Sequence, residues 1–219
     1  MSVVIGPISK NRVPLYFVFT LFMPLIIEGL ITTWNHDGTT NVAPQGPIVL
    51  VPGEKLLLRP WQGSRTYANL WRDRCGVFHL TDDVLLLAET AIGEPRTAPA
   101  LVPATNIDGM ALADALESWE LVIDEAVEQG PRSEMTARIV NRVVRRVSSG
   151  WNRAQFAVIE TAILATRLHI IAASIVRADL ERWRMVVEKT GGEREHAAFE
   201  LLAEYIDKRL IEADPAPVK

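Results

Sequence analysis

The chain has 219 residues, of which 48% are hydrophobic, with a formal net charge of −4 and a pI near 5.6. That length and apolar content suit one large domain, or one domain plus an appendage, and the acidic balance excludes the basic face that binding to nucleic acid needs. A single cysteine, Cys75, excludes a disulfide framework and a cysteine-built zinc site, so no metal is predicted and a reducing, cytoplasmic location is favoured.

The N-terminus carries an apolar run over residues 13–27 that is typical of a secretory signal. We reject that interpretation because no small-residue cleavage site follows and the run continues into a predicted strand. Pro14 and Pro24 interrupt it, and it is shorter than the ~20 residues of a membrane-spanning helix, so no membrane partner is expected. Two hypotheses stay open: residues 1–22 are an extension outside the fold, with Met23 as the translation start, or they belong to it.

The stretch Glu28–Pro47 predicts a β-hairpin, because two runs rich in β-branched and aromatic residues flank polar turn residues. Asp37 and Gly38 suit the positive φ angles of a tight primed turn. Pro44 is expected to end the ladder, since proline has no N–H to donate. The backbone over 43–46 is therefore predicted to lie outside the sheet, with its polar groups free for a ligand.

The middle of the chain alternates strand and helix patterns. In chain order the predictions are strands over 48–51 and 56–59, a strand over 77–81, a helix over 84–92, a surface loop over 93–108, and two antiparallel strands over 119–127 and 137–147. Acidic side chains of the first long strand are expected to pair with arginines of the second. His79, on its strand, is interpreted as a satisfied core residue.

A polar turn after Pro60 opens a short helix, with Ser64 or Thr66 as its N-cap. One interpretation is an anion site, because free N–H groups at the helix start, two hydroxyls, Arg59 and Arg65 are the groups that bind a phosphate monoester. The other interpretation is a capped surface helix with solvated arginines.

From Gly150 onward the pattern is helical. Asn152 with Gln155 resembles a capping box, and the helix that they open is predicted to run to Ala172 or Ala173 and to be buried nearly all round. Two further helices are predicted over 174–188 and 193–211.

Three charged residues, Arg153, Glu160 and Arg167, recur every seven residues along the first of these helices. Two interpretations stay open, a structural ion-pair ladder and a contact to substrate or phosphate. Lys189 precedes two glycines, but the glycine spacing does not match a phosphate-binding loop.

Resemblance to known families adds to these patterns. The segments EGLITTWNHDGTTNVAPQGP, LLLRPWQGSRTYANLW and GVFHLTDD resemble the first half of the FMN-binding split barrel of flavin reductases and pyridoxamine phosphate oxidases. Together with NRAQFAVIETAILATRLH and EKTGGEREHAAF, they make the chain from Met23 onward similar to the domain of unknown function 447 family. The resemblance implies an α+β fold: an antiparallel split β-barrel over 23–149, a C-terminal three-helix unit over 150–213 and a tail over 214–219.

The same resemblance implies a homodimer that holds one FMN per subunit near the dimer interface. The strand end whose backbone lines the flavin ring matches Asn41, Val42, Ala43 and Pro44. The turn and helix that hold the flavin phosphate match Ser64, Thr66 and Asn69, preceded by Arg59. The family implies no role for the helical unit, so Arg153, Glu160, Arg167 and Lys189 stay candidates for a substrate pocket.

Three functions follow as hypotheses. The first is an FMN-dependent oxidoreductase that acts on an unidentified small molecule. The second is a non-catalytic flavin carrier or sensor, and the third is a cofactor-free interaction module. Because no glycine-rich dinucleotide fingerprint is present, NADH or NADPH would bind only transiently, as a substrate.

Overall fold

The computed structural model describes residues 24–213. The predictions for the extension 1–22, for Met23 and for the tail 214–219 therefore fall outside the described residues. Within the described range, no helix is both long and apolar enough to cross a membrane.

Strands dominate the first two thirds of the described chain and helices the last third. The strands are β1 Gly29–Trp34, β2 Thr40–Gln45, β3 Ile48–Val51, β4 Lys55–Leu58, β5 Cys75–Leu80, β6 Leu101–Pro103, β7 Met110–Leu112, β8 Glu117–Gln129 and β9 Arg132–Val144. The helices are α1 Arg65–Asp73, α2 Val84–Ile92, α3 Arg153–Ala165, α4 Ala173–Thr190 and α5 Glu193–Ala213. Seven strands form one antiparallel sheet in the order β2-β1-β5-β8-β9-β4-β3, while β6 pairs with β7 alone.

The sheet closes on itself through the residues that precede β1. The amide of Ile27 donates to the Pro47 carbonyl (3.2 Å), and the amide of Val49 donates to the Leu25 carbonyl (2.8 Å). Residues 25–27 lead directly into β1, so these two hydrogen bonds connect the edge strand β3 with the segment that begins the sheet. The predicted fold class, an antiparallel split barrel followed by three helices, is confirmed.

Two hydrophobic cores hold the molecule together. The first fills the barrel and includes Phe78 and Met135, both fully buried. The second joins α2 to α3, α4 and α5 and reaches the sheet at Leu30 and Val42. Successive side chains of a strand point to opposite faces, so Leu30 contacts the helices while Ile31 enters the barrel. The helices therefore pack directly on the β1 and β2 face of the sheet.

The hairpin of β1 and β2 is confirmed, but its turn is longer than predicted. The connection spans five residues, 35–39, and is closed by the Asn35 amide, which donates to the Thr39 carbonyl (2.8 Å). Within this turn only Gly38 has a positive φ, +80°. The Asp37 carboxylate accepts a hydrogen bond from the Thr39 amide (2.9 Å). The prediction of a two-residue primed turn was wrong.

The prediction that Pro44 ends the ladder was also wrong. Pro44 lies inside β2, opposite Leu30, and the strand continues to Gln45. Proline is tolerated here because β2 is an edge strand, whose outer side has no neighbouring strand in the sheet. The outer edge of β2 still leaves backbone groups without a strand partner.

The surface loop predicted over 93–108 contains β6, which forms a two-stranded ribbon with β7. Strands of three residues are too short to produce a recognisable alternation in the sequence. The long strands β8 and β9 were predicted, and their charged rows do pair, since Arg138 bonds Asp124 (3.1 Å) and Arg142 bonds Glu117 (2.6 Å).

The first C-terminal helix is shorter than predicted. It ends at Ala165, and the chain then turns until α4 begins at Ala173. Apolar residues in this turn, Leu168 and Ile171, pack against the helical core, so tertiary packing overrides the helical periodicity. The helix is also not buried all round, because Phe156 is 52% exposed.

The predicted capping box of α3 forms only in half. Asn152 accepts a hydrogen bond from the Ala154 amide (2.7 Å) as an N-cap. Gln155 instead donates to Glu195 (3.3 Å), because α5 lies alongside the start of the helix.

Candidate functional site

A cleft of about 630 Å³ lies between the β2–β3 connection, the turn before α1 and the end of α3. Six of the residues predicted for cofactor or substrate line it, namely Ala43, Pro44, Arg59, Ser64, Thr66 and Arg167. The lining residues that the sequence did not indicate include Glu28, Arg132 and Ile163. Residues from five separate parts of the chain therefore meet in one cleft.

The start of α1 forms one wall of this cleft. Ser64 is the N-cap: its Oγ accepts from the Tyr67 amide (3.1 Å) and donates to the Trp61 carbonyl (2.7 Å). The Ser64 hydroxyl is thus committed to the cap. The next two amides, of Arg65 and Thr66, find no acceptor in the described part of the chain. Free N–H groups at a helix start favour an anion.

A buried amide network stands behind this helix start. Asn41 Nδ2 donates to Thr33 Oγ1 (3.2 Å) and to Thr66 Oγ1 (3.1 Å). Asn69 Nδ2 donates to Thr33 Oγ1 (3.0 Å) and to Asn35 Oδ1 (3.0 Å). The Thr66 hydroxyl is an acceptor here, and its proton has no acceptor among residues 24–213. Asn41 and Asn69 therefore hold β1, β2 and α1 together, and neither lines the cleft.

The side chain of Val42 also points away from the cleft, into the helical core. Alternation along β2 explains this, since Ala43 and Val42 face opposite sides of the strand. Of the four residues predicted on this strand, Ala43 and Pro44 reach the cleft with their side chains.

Besides Arg167, two arginines supply positive charge to the cleft, Arg59 and Arg132. The Arg59 side chain is half exposed, and its Nε lies 3.6 Å from Glu134. Arg132 Nη1 donates to the Arg59 carbonyl (2.8 Å). The contact forms because the turn before β9 folds back onto the chain after β4, where the Gln62 amide donates to the Pro131 carbonyl (3.2 Å). The two arginines stand 73 residues apart, and nothing in the local sequence pattern links them.

Glu28 places a carboxylate on the opposite side of the cleft. A Cβ built at Gly46 would lie 3.0 Å from both Glu28 carboxylate oxygens, so the acid lies directly against the β2–β3 connection. No hydrogen bond or ion pair joins this carboxylate to another described residue. Partial burial raises the pKa of Glu28 above its usual value, and the negative charge of Glu160 raises it further, while Arg167 opposes them.

The ion-pair ladder predicted for Arg153, Glu160 and Arg167 was wrong. In the part of the chain that the structure describes, none of the three forms an ion pair, and Arg167 lies beyond the end of α3. Arg153 stands at the start of that helix, about 15 Å from Ile163 at 1.5 Å per residue. Arg153, Glu160 and Lys189 are not among the residues that line the cleft.

A more open depression of about 680 Å³ lies at the hairpin tip and includes Trp34, Arg72 and Cys75. Its arginine is already engaged, because Nε and Nη2 bond the Asp73 carboxylate (2.6 Å each) and Nη2 bonds the Trp34 carbonyl (2.6 Å). This depression therefore offers fewer free groups to a ligand than the cleft at α1.

Comparison with known families gives two matches along the chain. The family model described as protein of unknown function (DUF447), N-terminal domain, matches residues 27–146. The model described as protein of unknown function (DUF447) matches residues 152–204.

One solved structure shows the same fold, and two others have a lower similarity to this chain. An FMN-bound protein of the DUF447 family from Methanosarcina mazei has a TM-score of 0.69 and 20% identity, over 82% of this chain and 94% of that chain. Nitrilotriacetate monooxygenase component B from Bacillus cereus has a TM-score of 0.47 and 17% identity, over 71% of this chain and 90% of its own. An FMN-binding protein from Thermus thermophilus has a TM-score of 0.48 and 13% identity, over 65% and 81%.

Proposed function

Because this chain belongs to the DUF447 family of proteins of unknown function, we propose that it is a flavoprotein that holds FMN in the cleft at α1 and acts as an oxidoreductase on a small molecule. The observation that carries the proposal is the convergence of free helix-start amides, the Thr66 hydroxyl and two arginines, Arg59 and Arg132, on that cleft. The FMN-bound family member with this fold supports it.

The cleft fits the cofactor in size and in chemistry. Its volume of about 630 Å³ lies within the ~300–1,000 Å³ that small-molecule and cofactor sites occupy. A phosphate monoester needs donors and positive charge, which the amides of Arg65 and Thr66 and the guanidinium of Arg59 provide. The outer edge of β2 from Ala43 onward offers backbone groups to the polar edge of a ring.

FMN, when bound, supplies hydride chemistry, and the protein's part is binding, orientation and exclusion of water. Thr66 and the start of α1 bind the phosphate end, and Ser64 keeps that helix start in place as its cap. Asn41 is a positioning residue, because its amide bonds Thr66 Oγ1. Because the sequence contains no glycine-rich dinucleotide fingerprint, NADH or NADPH would serve only as a transient donor. The single cysteine supports a cytoplasmic location.

The visible absorbance spectrum distinguishes the flavin hypotheses from a cofactor-free module. Purified protein is expected to gain flavin absorbance on incubation with FMN, and protein that stays colourless would exclude every flavin role. Steady turnover of NADH or NADPH with an acceptor is expected of an oxidoreductase, whereas a carrier or sensor binds FMN without turnover.

The phosphate contacts provide the first mutational prediction. Arg59→Ala and Thr66→Val are each expected to lower the affinity for FMN by roughly 10- to 150-fold, because a hydrogen bond to a charged group contributes about 1.5–3 kcal/mol. Riboflavin, which lacks the phosphate, should lose little affinity. Flavin fluorescence titrations with both ligands measure the difference.

Thr66→Ser is the matched control for this prediction, because it keeps both the hydroxyl and the acceptor for Asn41. It should bind FMN within a few-fold of the unaltered protein. If Arg59→Ala lowers the affinities for FMN and riboflavin equally, the phosphate binds in another part of the protein.

We further propose that two copies of this chain assemble into a dimer that covers the cleft. Large apolar side chains are exposed around it: Leu25 (61%), Ile26 (50%) and Trp61 (55%), with Leu50 (42%) on the adjoining strand β3. Exposed apolar surface of this kind, with an aromatic residue, is typical of protein interfaces. A stable obligate dimer buries more than ~2,000 Å² and dissociates on dilution.

The dimer prediction is tested by sedimentation of the FMN-loaded protein across a wide concentration range, with flavin fluorescence followed in parallel. Leu50→Asp is expected to produce monomers that release FMN. Ile211→Asp alters an apolar residue on α5 that is still more exposed (66%), and it should leave the dimer intact. A monomer that keeps its FMN at low concentration would contradict the model.

A further inference from the structure

A smaller cavity of about 230 Å³ lies between α2 and α3 and adjoins the cleft. Four residues line both spaces: Glu28, Pro44, Ile163 and Thr166. Its remaining walls are Leu87, Thr90, Ala91, Ile159 and Ala162. The cavity is thus a largely apolar side chamber whose opening faces the cofactor cleft.

The two threonines in its wall offer no free proton. Thr90 Oγ1 donates to the Leu86 carbonyl (2.7 Å) within α2. Thr166 Oγ1 donates to the Ile163 carbonyl (2.9 Å) at the end of α3. The polar group left at the opening is the Glu28 carboxylate, which has no hydrogen-bond partner in the described range. A ligand entering the chamber therefore meets largely apolar walls and the Glu28 carboxylate as an acceptor, and it meets no free hydroxyl donor in these walls.

We propose that this chamber is the apolar subsite for the substrate and that Glu28 accepts a hydrogen bond from it; this inference rests on the proposed flavoenzyme function. The substrate class is a small neutral or cationic molecule that has one ring-sized apolar part and one N–H or O–H donor beside it. Substrates that carry a carboxylate at that position are excluded, because its negative charge would lie next to the negative charge of the Glu28 carboxylate.

Size and charge both support this assignment. At about 230 Å³ the chamber is below the ~300–1,000 Å³ of a full cofactor site, so it accommodates one ring or a branched aliphatic group. The charged groups that act on Glu28 are Glu160 of α3, which disfavours a second negative charge, and Arg167 beyond the end of α3. Arg167 lines the cleft and not the chamber, whose described walls include no cation.

Benzylamine, benzyl alcohol and benzoate are the probes, because they share a ring and differ in the group placed beside Glu28. Their affinities for the FMN-loaded full chain are measured by ligand-observed NMR titration. Benzylamine and benzyl alcohol should bind at least about tenfold more tightly than benzoate, since like charges placed together are strongly unfavourable. Glu28→Gln should narrow the gap between benzylamine and benzoate.

Filling the chamber tests its location. Ala91→Leu should lower the affinities for benzylamine and benzyl alcohol by roughly tenfold or more, because a mismatch of one or two methylene groups in a hydrophobic pocket has an effect of this size. The affinity for FMN should stay within twofold. Ala178→Leu places the same side chain on an exposed position of α4 and is the matched control. Ile159→Phe fills the chamber from α3, and it replaces Ala91→Leu if that variant does not fold.

The outcomes separate this inference from the proposed function. Probe affinities unchanged in both filling variants, or benzoate binding as tightly as benzylamine, overturn the inference while FMN binding stands. Failure of the full chain to bind FMN overturns the proposed function and the substrate assignment together.

Discussion

Gly29→Ala is expected to destabilise the protein by ~3 kcal/mol, at the upper end of what overpacking a well-packed core produces. A Cβ at this position would lie 2.3 Å from the His79 carbonyl oxygen and 2.7 Å from the Phe78 ring. The oxygen belongs to the backbone of β5, so it cannot move without disturbing the pairing of β1 with β5. Glycine is required here because the two strands approach closely.

Gly93→Ala is the matched control, because nothing lies within 4 Å of a Cβ built there and its backbone is extended (φ 174°). It should change stability by no more than about 0.5 kcal/mol. Urea unfolding of both variants, followed by tryptophan fluorescence, measures the difference. Similar stabilities for the two variants would mean that the β1–β5 contact is looser than the structure describes.

The second large effect is a loss of stability as the pH falls, caused by His79. Its ring is fully buried and bridges two elements: Nε2 accepts from the Leu112 amide (3.0 Å), and Nδ1 therefore carries the proton and donates to the Leu30 carbonyl (3.2 Å). Burial lowers the pKa of His79 from 6.5 to about 4; the Leu30 carbonyl opposes this shift and the charge of Arg145 adds to it.

The direction of the pH effect follows from this lowered pKa. The unfolded chain binds a proton at His79 below pH 6.5, whereas the folded protein does so only below about pH 4. The stabilisation by the neutral ring is therefore complete above pH 6.5 and is lost as the pH falls from 6.5 towards 4. A shift of this size corresponds to about 3 kcal/mol.

His79→Gln isolates the contribution, because glutamine can still hydrogen-bond but does not titrate in this range. Urea unfolding is measured for both proteins at pH 7 and at pH 4.5. The unaltered protein should lose about 2–3 kcal/mol more than the variant between the two pH values. Parallel losses in both proteins would show that carboxylates, and not His79, set the acid sensitivity.

The sequence predicted best those features that depend on nearby residues. The Ser64 cap bonds an amide three residues later, and α2 begins after Asp83, which caps the Leu86 amide in the same way. The interpretation of His79 as a satisfied core residue is confirmed as well. Capping contacts join residues that are close in sequence, so they can be predicted without knowledge of the rest of the fold.

The sequence did not predict the burial of Glu120 on β8. Simple alternation placed Glu120 in a row of acids that face the arginines of β9. A register shift between Glu120 and Leu121 opposes Glu120 to Asn141, and the acid is 2% exposed. Its carboxylate accepts from the amides of Thr105 (2.8 Å) and Asn106 (2.6 Å) and so holds the preceding loop. Trp119, Leu121 and Ile123 all lie in the barrel core, so Glu120 keeps the face that alternation gives it, and the loop over residues 105–106 buries it there.

The residues of the proposed site also fall into two groups, those that are close in sequence and those that only the fold brings together. Arg59, Ser64 and Thr66 lie within eight residues of one another, and the sequence alone allowed an anion-binding helix start there as one of two interpretations. Glu28 and Arg132 reach the same cleft from elements far apart in the chain, through barrel closure beside β3 and through the turn that leads into β9. Both contacts depend on strand order, which no local pattern contains.

By itself, the sequence determined the strands with clear alternation, the capped helices and the absence of a basic face, because backbone propensity, capping and charge act between neighbours. Only the tertiary structure decided that α3 ends at Ala165, that Pro44 belongs to an edge strand, and that Glu28 stands between two cavities. These features depend on which surfaces pack together, and packing joins residues that are distant in sequence.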